Sequence, residues 1–171
     1  MKSIFLSIVV ILSFLTIQLE SMAQPSYQVI ETAKVLMKSW QNSYTINIIG
    51  AHATDVADAW SLKMQKAGGI RFENSGSDAI AFKNVLLPDI SSQPLAIFFK
   101  TYEDTEANST NLIVWFRLGD KFISSRTIPS SFGPISRSLI SFSFELEDQL
   151  KKSNQKEDIN KTNQEYPNSK N

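Results

Sequence analysis

His52 is the only histidine of the 171-residue chain, and it stands beside Thr54 and Asp55. A Ser-His-Asp catalytic triad could include such a histidine, but the sequence has no G-x-S-x-G nucleophile elbow to accompany it. One histidine and no cysteine also leave too few nitrogen and sulfur ligands for an ordinary zinc site. We therefore interpret His52 as a solvent-facing or helix-flanking residue, and the sequence predicts no catalytic residue, no metal ligand and no cofactor.

Two further groups have the residue types of a site but the wrong spacing. The acids at 103–106 lack the spaced Asp, Asn and Gly of a calcium loop, which favours a solvated hairpin loop over residues 103–109. Gly68 and Gly69 follow a predicted helix, whereas glycines that cradle phosphate precede one. The glycine pair therefore predicts a helix end.

The aromatic residues are more numerous than catalysis needs, with 11 Phe, 3 Trp and 4 Tyr. Pockets for small ligands are mostly apolar with few polar groups, so we expect ligand contacts among these side chains. The candidates are Arg117 and Trp115, which share one strand face, and Trp40, which we place at an exposed hairpin turn. Arg117 is predicted to be paired, to reach the rim of the sheet, or to contact an anionic ligand.

Charge excludes two classes of partner. The chain has 17 basic and 17 acidic residues, and removal of Lys2 and Glu20 with a signal peptide keeps it neutral. A neutral chain has no electrostatic footprint for nucleic acid and no polybasic patch for anionic lipid. Without cysteine it has no disulfide framework, so the fold must depend on its core alone.

The strand that organises the fold spans residues 112–118. Leu112, Val114 and Phe116 alternate with Ile113 and Trp115, so both faces are largely apolar and the strand is predicted to be central. Residues 118–121 predict a tight turn, and residues 122–123 a short return strand.

The chain before this strand predicts five further strands and one helix. Residues 28–37 favour a strand, with a helix as the alternative, and a turn at 41–43 joins it to a strand over 44–50. Thr54 is predicted to cap a helix over 54–66, whose apolar stripe is Val56, Trp60 and Met64, with Trp60 as its anchor in the core. Strands follow at 70–73, 79–87 and 95–102, and the second has a bulge near residues 83–84.

The C-terminal part predicts a long amphipathic helix and a tail. Pro129 and two serines open the helix, and its apolar residues then step by three or four positions as far as Leu150. From residue 153 the composition turns polar, so residues 153–171 predict a disordered tail.

The N-terminus resembles a secretory signal peptide. Lys2 precedes an apolar run over residues 4–17, and small residues at 21 and 23 favour cleavage after Ala23. The run is short for a membrane span, and no later segment could cross a membrane. We expect a signal peptide over 1–23 and one domain over 24–152, exported to the periplasm or the extracellular space.

The predicted element order favours an α+β fold: an antiparallel sheet of about six strands with two helices packed on one face. By element order it is similar to helix-grip and TATA-binding-protein-like folds.

Four segments resemble a group of small exported proteins of Bacteroidetes. They are DVADAW at 55–60, KAGG at 66–69, LIVWFRLG at 112–119 and FISS at 122–125. That group pairs a helix bearing D-V-x-x-A-W with a strand T-V-W-F-D-L-G-G-x-F-L-S-S ahead of a long charged helix. The similarity spans most of residues 28–152 and implies export and fold, but no reaction. Arg117 stands where an Asp is usual, and the C-terminal helix is shorter.

Three functions follow as hypotheses. The first is a non-enzymatic binding module for a small apolar ligand or an envelope protein, favoured by the aromatic residues and the lack of catalytic groups. The second is a structural or assembly subunit of the cell envelope, suggested by the long helix and tail. The third is a hydrolase or isomerase that uses Arg117 and nearby carboxylates in a cavity between the sheet and the second helix.

Overall fold

The computed structural model describes residues 26–73 and 76–165. The predicted signal peptide over 1–23 lies outside these residues and stays a prediction. The described residues form seven strands, two α-helices and one 3-10 turn. In chain order these are β1 (Val29–Leu36), β2 (Ser39–Ile49), α1 (Ala53–Lys66), β3 (Ile70–Phe72), β4 (Ile80–Val85), β5 (Leu95–Asp104), β6 (Ser109–Leu118), β7 (Lys121–Phe122), the 3-10 turn (Pro129–Ser131) and α2 (Phe132–Glu165).

All the strands belong to one antiparallel sheet in the order β1-β2-β6-β5-β4-β3, with β7 pairing to β6. The central position predicted for β6 is confirmed, because Val114 stands opposite Tyr44 of β2 and opposite Phe99 of β5. Both helices contact the same face of the sheet. The predicted α+β class is therefore confirmed, while the TATA-binding-protein-like label stays a prediction.

The main core lies between the sheet and the helices. Trp60 of α1 is fully buried and meets Phe142 of α2 edge to face, with ring centroids 4.8 Å apart. This confirms Trp60 as the anchor of its helix. The sheet side of the core comes from alternate residues of its central strands: Tyr44, Ile46, Ile48, Ile97, Phe99, Leu112, Val114 and Phe116.

The predicted position of the first hairpin turn was wrong. The chain reverses at Met37 and Lys38, which have φ of 50° and 66°, and β2 already begins at Ser39. Two positive φ values are what a two-residue hairpin turn requires, and here ordinary residues adopt them. The polar stretch that suggested a turn is accommodated as strand, since buried Ser43 donates a hydrogen bond to the Thr32 carbonyl at 2.8 Å.

Helix α1 begins and ends at its predicted positions to within one residue, but its cap differs. The residue before the helix is His52, without a side-chain cap, and Thr54 lies inside the helix, so the predicted Thr54 cap is wrong. The Ala53 amide instead donates to a carboxylate oxygen of Glu103 in β5, at 3.3 Å. At the other end Gly68 has φ of 81°, which confirms the glycine pair as the helix end.

The predicted bulge in β4 is confirmed. Pairing with β5 shifts register between Phe82 and Val85, and Asn84 between them has φ of 62°. A single extra residue in one strand produces this shift.

Helix α2 continues to Glu165, whereas the sequence predicts a disordered tail from residue 153. Residues 136–165 contain neither Gly nor Pro, and the ion pairs Lys151–Glu147 and Lys152–Asp148 join successive turns. Local helix propensity therefore sustains the helix beyond Leu150, where its packing against the sheet ends. Residues 166–171 lie outside the described residues.

Candidate functional site

The face of the sheet opposite the helices, called here the open face, presents the other set of alternate residues. On β6 these are Ile113, Trp115 and Arg117. Trp115 stands opposite Phe98 of β5, and Ile113 stands opposite Lys100. Neither helix has packing contacts on this side, so whatever buries these side chains must come from the strands themselves.

One end of the open face is closed by a small cluster, called the open-face cluster. Its buried members are Leu36, Ala79, Ala81, Phe98, Ile113 and Trp115. Leu36 comes from the end of β1, which two strands, β2 and β6, separate from β5 in the sheet order, yet Leu36 belongs to the same buried cluster as Phe98. Phe122 of β7 packs from the other side, with its ring centroid 6.0 Å from that of Phe98. The strands thus build a second core without a helix.

Beside this cluster the open face has a cavity of about 550 Å³, called the open-face groove. Its volume is in the range of small-molecule sites, which is about 300–1,000 Å³. Four strands line it, β1, β2, β5 and β6, through Lys34, Val35, Thr45, Lys100, Tyr102, Asn111, Ile113 and Trp115. The groove therefore combines an apolar floor with a polar rim.

Among the described residues, two lysines and no acidic residue line the groove. Lys100 has only 16% of its side chain exposed, and its ammonium group is paired with Asp78, whose side chain is 77% exposed. The hydrogen bond from Lys100 lowers the pKa of the Asp78 carboxyl below its ordinary value. Lys34 is exposed on β1 and forms no ion pair within residues 26–73 and 76–165.

The predicted ligand-binding residues fall into three different environments. Trp115 lines the open-face groove and is 1% exposed. Arg117 lies on the same face, but its guanidinium carbon stands 5.2 Å from the centroid of the Phe98 ring, outside the groove lining. Its Nε is buried without a hydrogen-bond partner in the described part of the chain. Arg117 is therefore stacked on an aromatic ring, with no carboxylate paired to it among the described residues.

Trp40 is not in the turn but is the second residue of β2, with 72% of its surface exposed. It lines a separate cleft of about 420 Å³ together with Asp120, Lys121 and Phe122 near β7. The structure thus brings Trp115 and Arg117 to one face and leaves Trp40 apart from both.

His52 lies outside the groove, at the start of α1. Its Nδ1 is 2.9 Å from Oε1 of Glu103, and both side chains reach solvent. The hydrogen bond with Glu103 raises the pKa of His52, while the same bond and the Ala53 amide lower the pKa of Glu103. Because the other oxygen of Glu103 accepts from α1, this pair fixes the start of the helix to β5.

Sequence reasoning missed the groove lysines and expected the cavity elsewhere. The hypothesised cavity lay between the sheet and the second helix, but that interface is filled by fully buried side chains such as Ile135 and Leu139. A signal for the groove was present in β5, where Lys100 interrupts the face that carries Ala96 and Phe98. A lysine on an otherwise apolar strand face indicates either an acidic residue that pairs with it or a cavity that opens to solvent beside it.

Comparisons with known proteins identify no relative. No protein-family model matches the chain, and searches of curated proteins and of solved structures find no significant match. Within the described residues, no three His, Cys, Asp or Glu side chains are grouped to hold a metal ion. Over the same residues, no helix combines the length and the apolar character needed to span a membrane.

Proposed function

We propose that the protein is an exported, non-enzymatic binding module whose ligand occupies the open-face groove. The observation that carries this proposal is the groove itself: a cavity of about 550 Å³ with Ile113 and Trp115 in its lining and a few polar groups around them. Small-molecule sites have this composition, an apolar floor with a small number of placed polar groups.

The position of the groove supports binding by a preformed site. Its floor belongs to β5 and β6, which pair along nine residues, and Trp115 stands opposite Phe98 in the same buried cluster as Leu36. Side chains fixed in this way do not need to be ordered when a ligand binds, which reduces the entropic cost of binding. His52, the residue best suited to acid–base chemistry, is outside the groove, which favours binding over catalysis.

Native mass spectrometry of residues 24–171, purified from the periplasm of an expressing bacterium, tests the proposal. We expect a defined extra mass that disappears on denaturation. Asn111→Trp, which places a large ring in the groove, should remove this mass, whereas Lys83→Trp on the exposed part of β4 should retain it. A clean apo monomer, or a mass retained in Asn111→Trp, would exclude a tightly held ligand in the groove.

A second candidate function, an assembly subunit of the cell envelope, is favoured by one observation. Beyond Leu150, α2 continues as a helix whose described side chains are exposed, including Ile159. An exposed helix of this kind offers a surface for a partner protein. Light scattering after size-exclusion chromatography of residues 24–171 tests it: a discrete oligomer that Ile159→Glu dissociates supports assembly, and a monomer at all concentrations argues against self-assembly.

A further inference from the structure

We propose that the open-face groove is specific for small anionic amphipathic molecules, with a carboxylate or sulfonate head on an apolar ring or chain, and that Asp78 competes with this head for Lys100. The inference rests on the proposed function, since it names the ligand class of the same groove. It depends on the charges that line the groove and on the ion pair beside it.

The lining is cationic. Lys34 lines the cavity from β1 and Lys100 from β5, on opposite sides of Thr45 and Ile113, and among the described residues no Asp or Glu lines it. Lys34 is exposed, whereas the Lys100 ammonium group is held by Asp78. An ammonium group beside a partly enclosed space attracts an anion more strongly than it would in bulk water, because the low-dielectric walls reduce screening.

The register of the strands places the apolar and polar contacts on opposite parts of such a ligand. Ile113 stands between Lys100 on β5 and Thr45 on β2, and Asn111 stands opposite Tyr102 in the next row of the same face. A ring or chain that lies on Ile113 and Trp115 therefore has an ammonium group at one side. The hydroxyl and amide groups of the rim are close to the same position.

Asp78 occupies the place that a ligand anion would take on Lys100. Lys100 is largely buried along its stem, so its ammonium group needs an acceptor, and Asp78 supplies one from a mostly exposed position. Because Asp78 is exposed, it can return to water when a ligand anion replaces it, at little cost in desolvation. The exchange keeps Lys100 paired in both states, and removal of Asp78 should strengthen anion binding.

Two fluorescent probes that share a ring system test the inference: anilinonaphthalene sulfonate, which is anionic, and phenylnaphthylamine, which is neutral. We expect the wild-type chain to bind both, and the sulfonate more tightly. Lys34→Met and Lys100→Met should each weaken binding of the sulfonate by about two- to fivefold and leave the neutral probe unchanged, as expected for partly exposed charge pairs. Asp78→Asn should tighten binding of the sulfonate by a similar factor.

Matched controls separate the outcomes. Lys121→Met removes a lysine from the separate Trp40 cleft and should change neither affinity, and Lys100→Arg should retain the preference for the sulfonate. If neither probe binds and the native mass spectra of the wild-type chain and of Asn111→Trp show the same species, the groove is not a site and the proposed function fails. If both probes bind equally and Asn111→Trp blocks both, the groove is a site, but its specificity for anions is overturned. If the wild-type chain prefers the sulfonate to the neutral probe but Asp78→Asn binds the sulfonate no more tightly than the wild type does, the groove is specific for anions and only the competition by Asp78 is overturned.

Discussion

The two faces of the sheet are built from alternate residues of the same strands, yet they are closed in different ways. On β6, Leu112, Val114 and Phe116 point toward the helices and are inaccessible to solvent, as are Trp60 and other residues that cover them. On the open face the residues between them are covered by side chains of strands and turns, among them Leu36, Ala79 and Phe122, and none of the described cluster members comes from a helix. The face covered by the helices is fully packed, whereas the open face has a buried cluster at one end and the groove beside it.

This difference shows that a strand with two apolar faces does not require a layer of helices on each side. Strands alone are enough to bury the large side chains at one end of the open face, because Leu36 at the end of β1 and Phe122 of β7 pack in the open-face cluster. A hairpin end covers less area than a helix, so the rest of the face stays accessible. We infer that the helix-covered face supplies most of the stability, while the open face has the groove in which we propose that a ligand binds.

The largest effect is expected on the helix-covered face. Trp60→Ala removes the fully buried ring that joins α1, α2 and the sheet. It should lower the free energy of unfolding by about 3–5 kcal/mol, the range for deletion of a large buried aromatic side chain. Urea unfolding followed by circular dichroism measures the change.

Trp40→Ala is the matched control, since it deletes the same side chain where it is mostly exposed. Its effect should stay within about 0.5 kcal/mol, as for ordinary surface positions. Similar losses for the two variants would show that the helix-covered face does not dominate stability.

Phe98→Ala tests the open-face cluster and should have a smaller effect. Phe98 is fully buried, in contact with the rings of Phe72 and Phe122 and with the Arg117 guanidinium. We expect a loss of about 2–3 kcal/mol, near the transfer value of the side chain, because the adjoining groove lets the site relax or fill with water. The same variant should weaken probe binding, since Trp115 loses its cross-strand support.

A loss from Phe98→Ala equal to that from Trp60→Ala would remove the distinction between the two faces. A loss of stability with unchanged probe affinity would separate the open-face cluster from the groove. Fluorescence titration and urea unfolding on the same protein preparation provide both numbers.

The sequence predicts the helix-covered face well and the open face poorly, for physical reasons that particular residues show. Val56, Trp60 and Met64 repeat with the period of a helix, so their common face follows from local geometry. The turn at Met37 and Lys38 has none of the residues that favour positive φ, and so Trp40 was placed in a turn. The groove lies beside a cluster that includes Leu36 of β1 and Phe98 of β5, a long-range association that no local pattern encodes.

Arg117→Met distinguishes a structural role of Arg117 from a role in ligand binding. Methionine has a similar length without the buried Nε that lacks a partner in the described residues. Loss of the ring contact and gain from removing the unpaired group oppose each other, so stability should stay equal or rise by up to about 1 kcal/mol. Arg117→Ala should instead lose about 1 kcal/mol, because the aliphatic stem also packs there.

Arg117 lies outside the groove lining, so neither variant should change the preference for the anionic probe. A fall in stability of more than about 1 kcal/mol in Arg117→Met would mean that the guanidinium has a stabilising partner. Loss of the probe preference would make Arg117, in addition to the groove lysines, an anion contact.

The smallest effect is expected at His52 and Glu103, which are exposed and belong to neither face. The pKa of His52 is raised, so its contribution to stability is complete below its unfolded-state pKa and is lost as the pH rises through its folded-state pKa. The pKa of Glu103 is lowered, so its contribution is complete above its unfolded-state pKa and is lost as the pH falls through its folded-state pKa. The reference pKa values of 4.5 and 6.5 bound the window in which both contributions are present.

His52→Gln should therefore lower the thermal midpoint slightly inside this window and leave it unchanged at alkaline pH, where His52 is neutral in both states. Glu103→Gln should have the larger effect of the two, because it also weakens the acceptor for the Ala53 amide at the start of α1. Solvent screens an exposed pair, so added salt should reduce the His52 effect further. Thermal scans of the wild type, His52→Gln and Glu103→Gln across the pH range measure these changes in the thermal midpoint. An effect of His52→Gln that persists at alkaline pH would show that the residue acts through packing rather than through its charge.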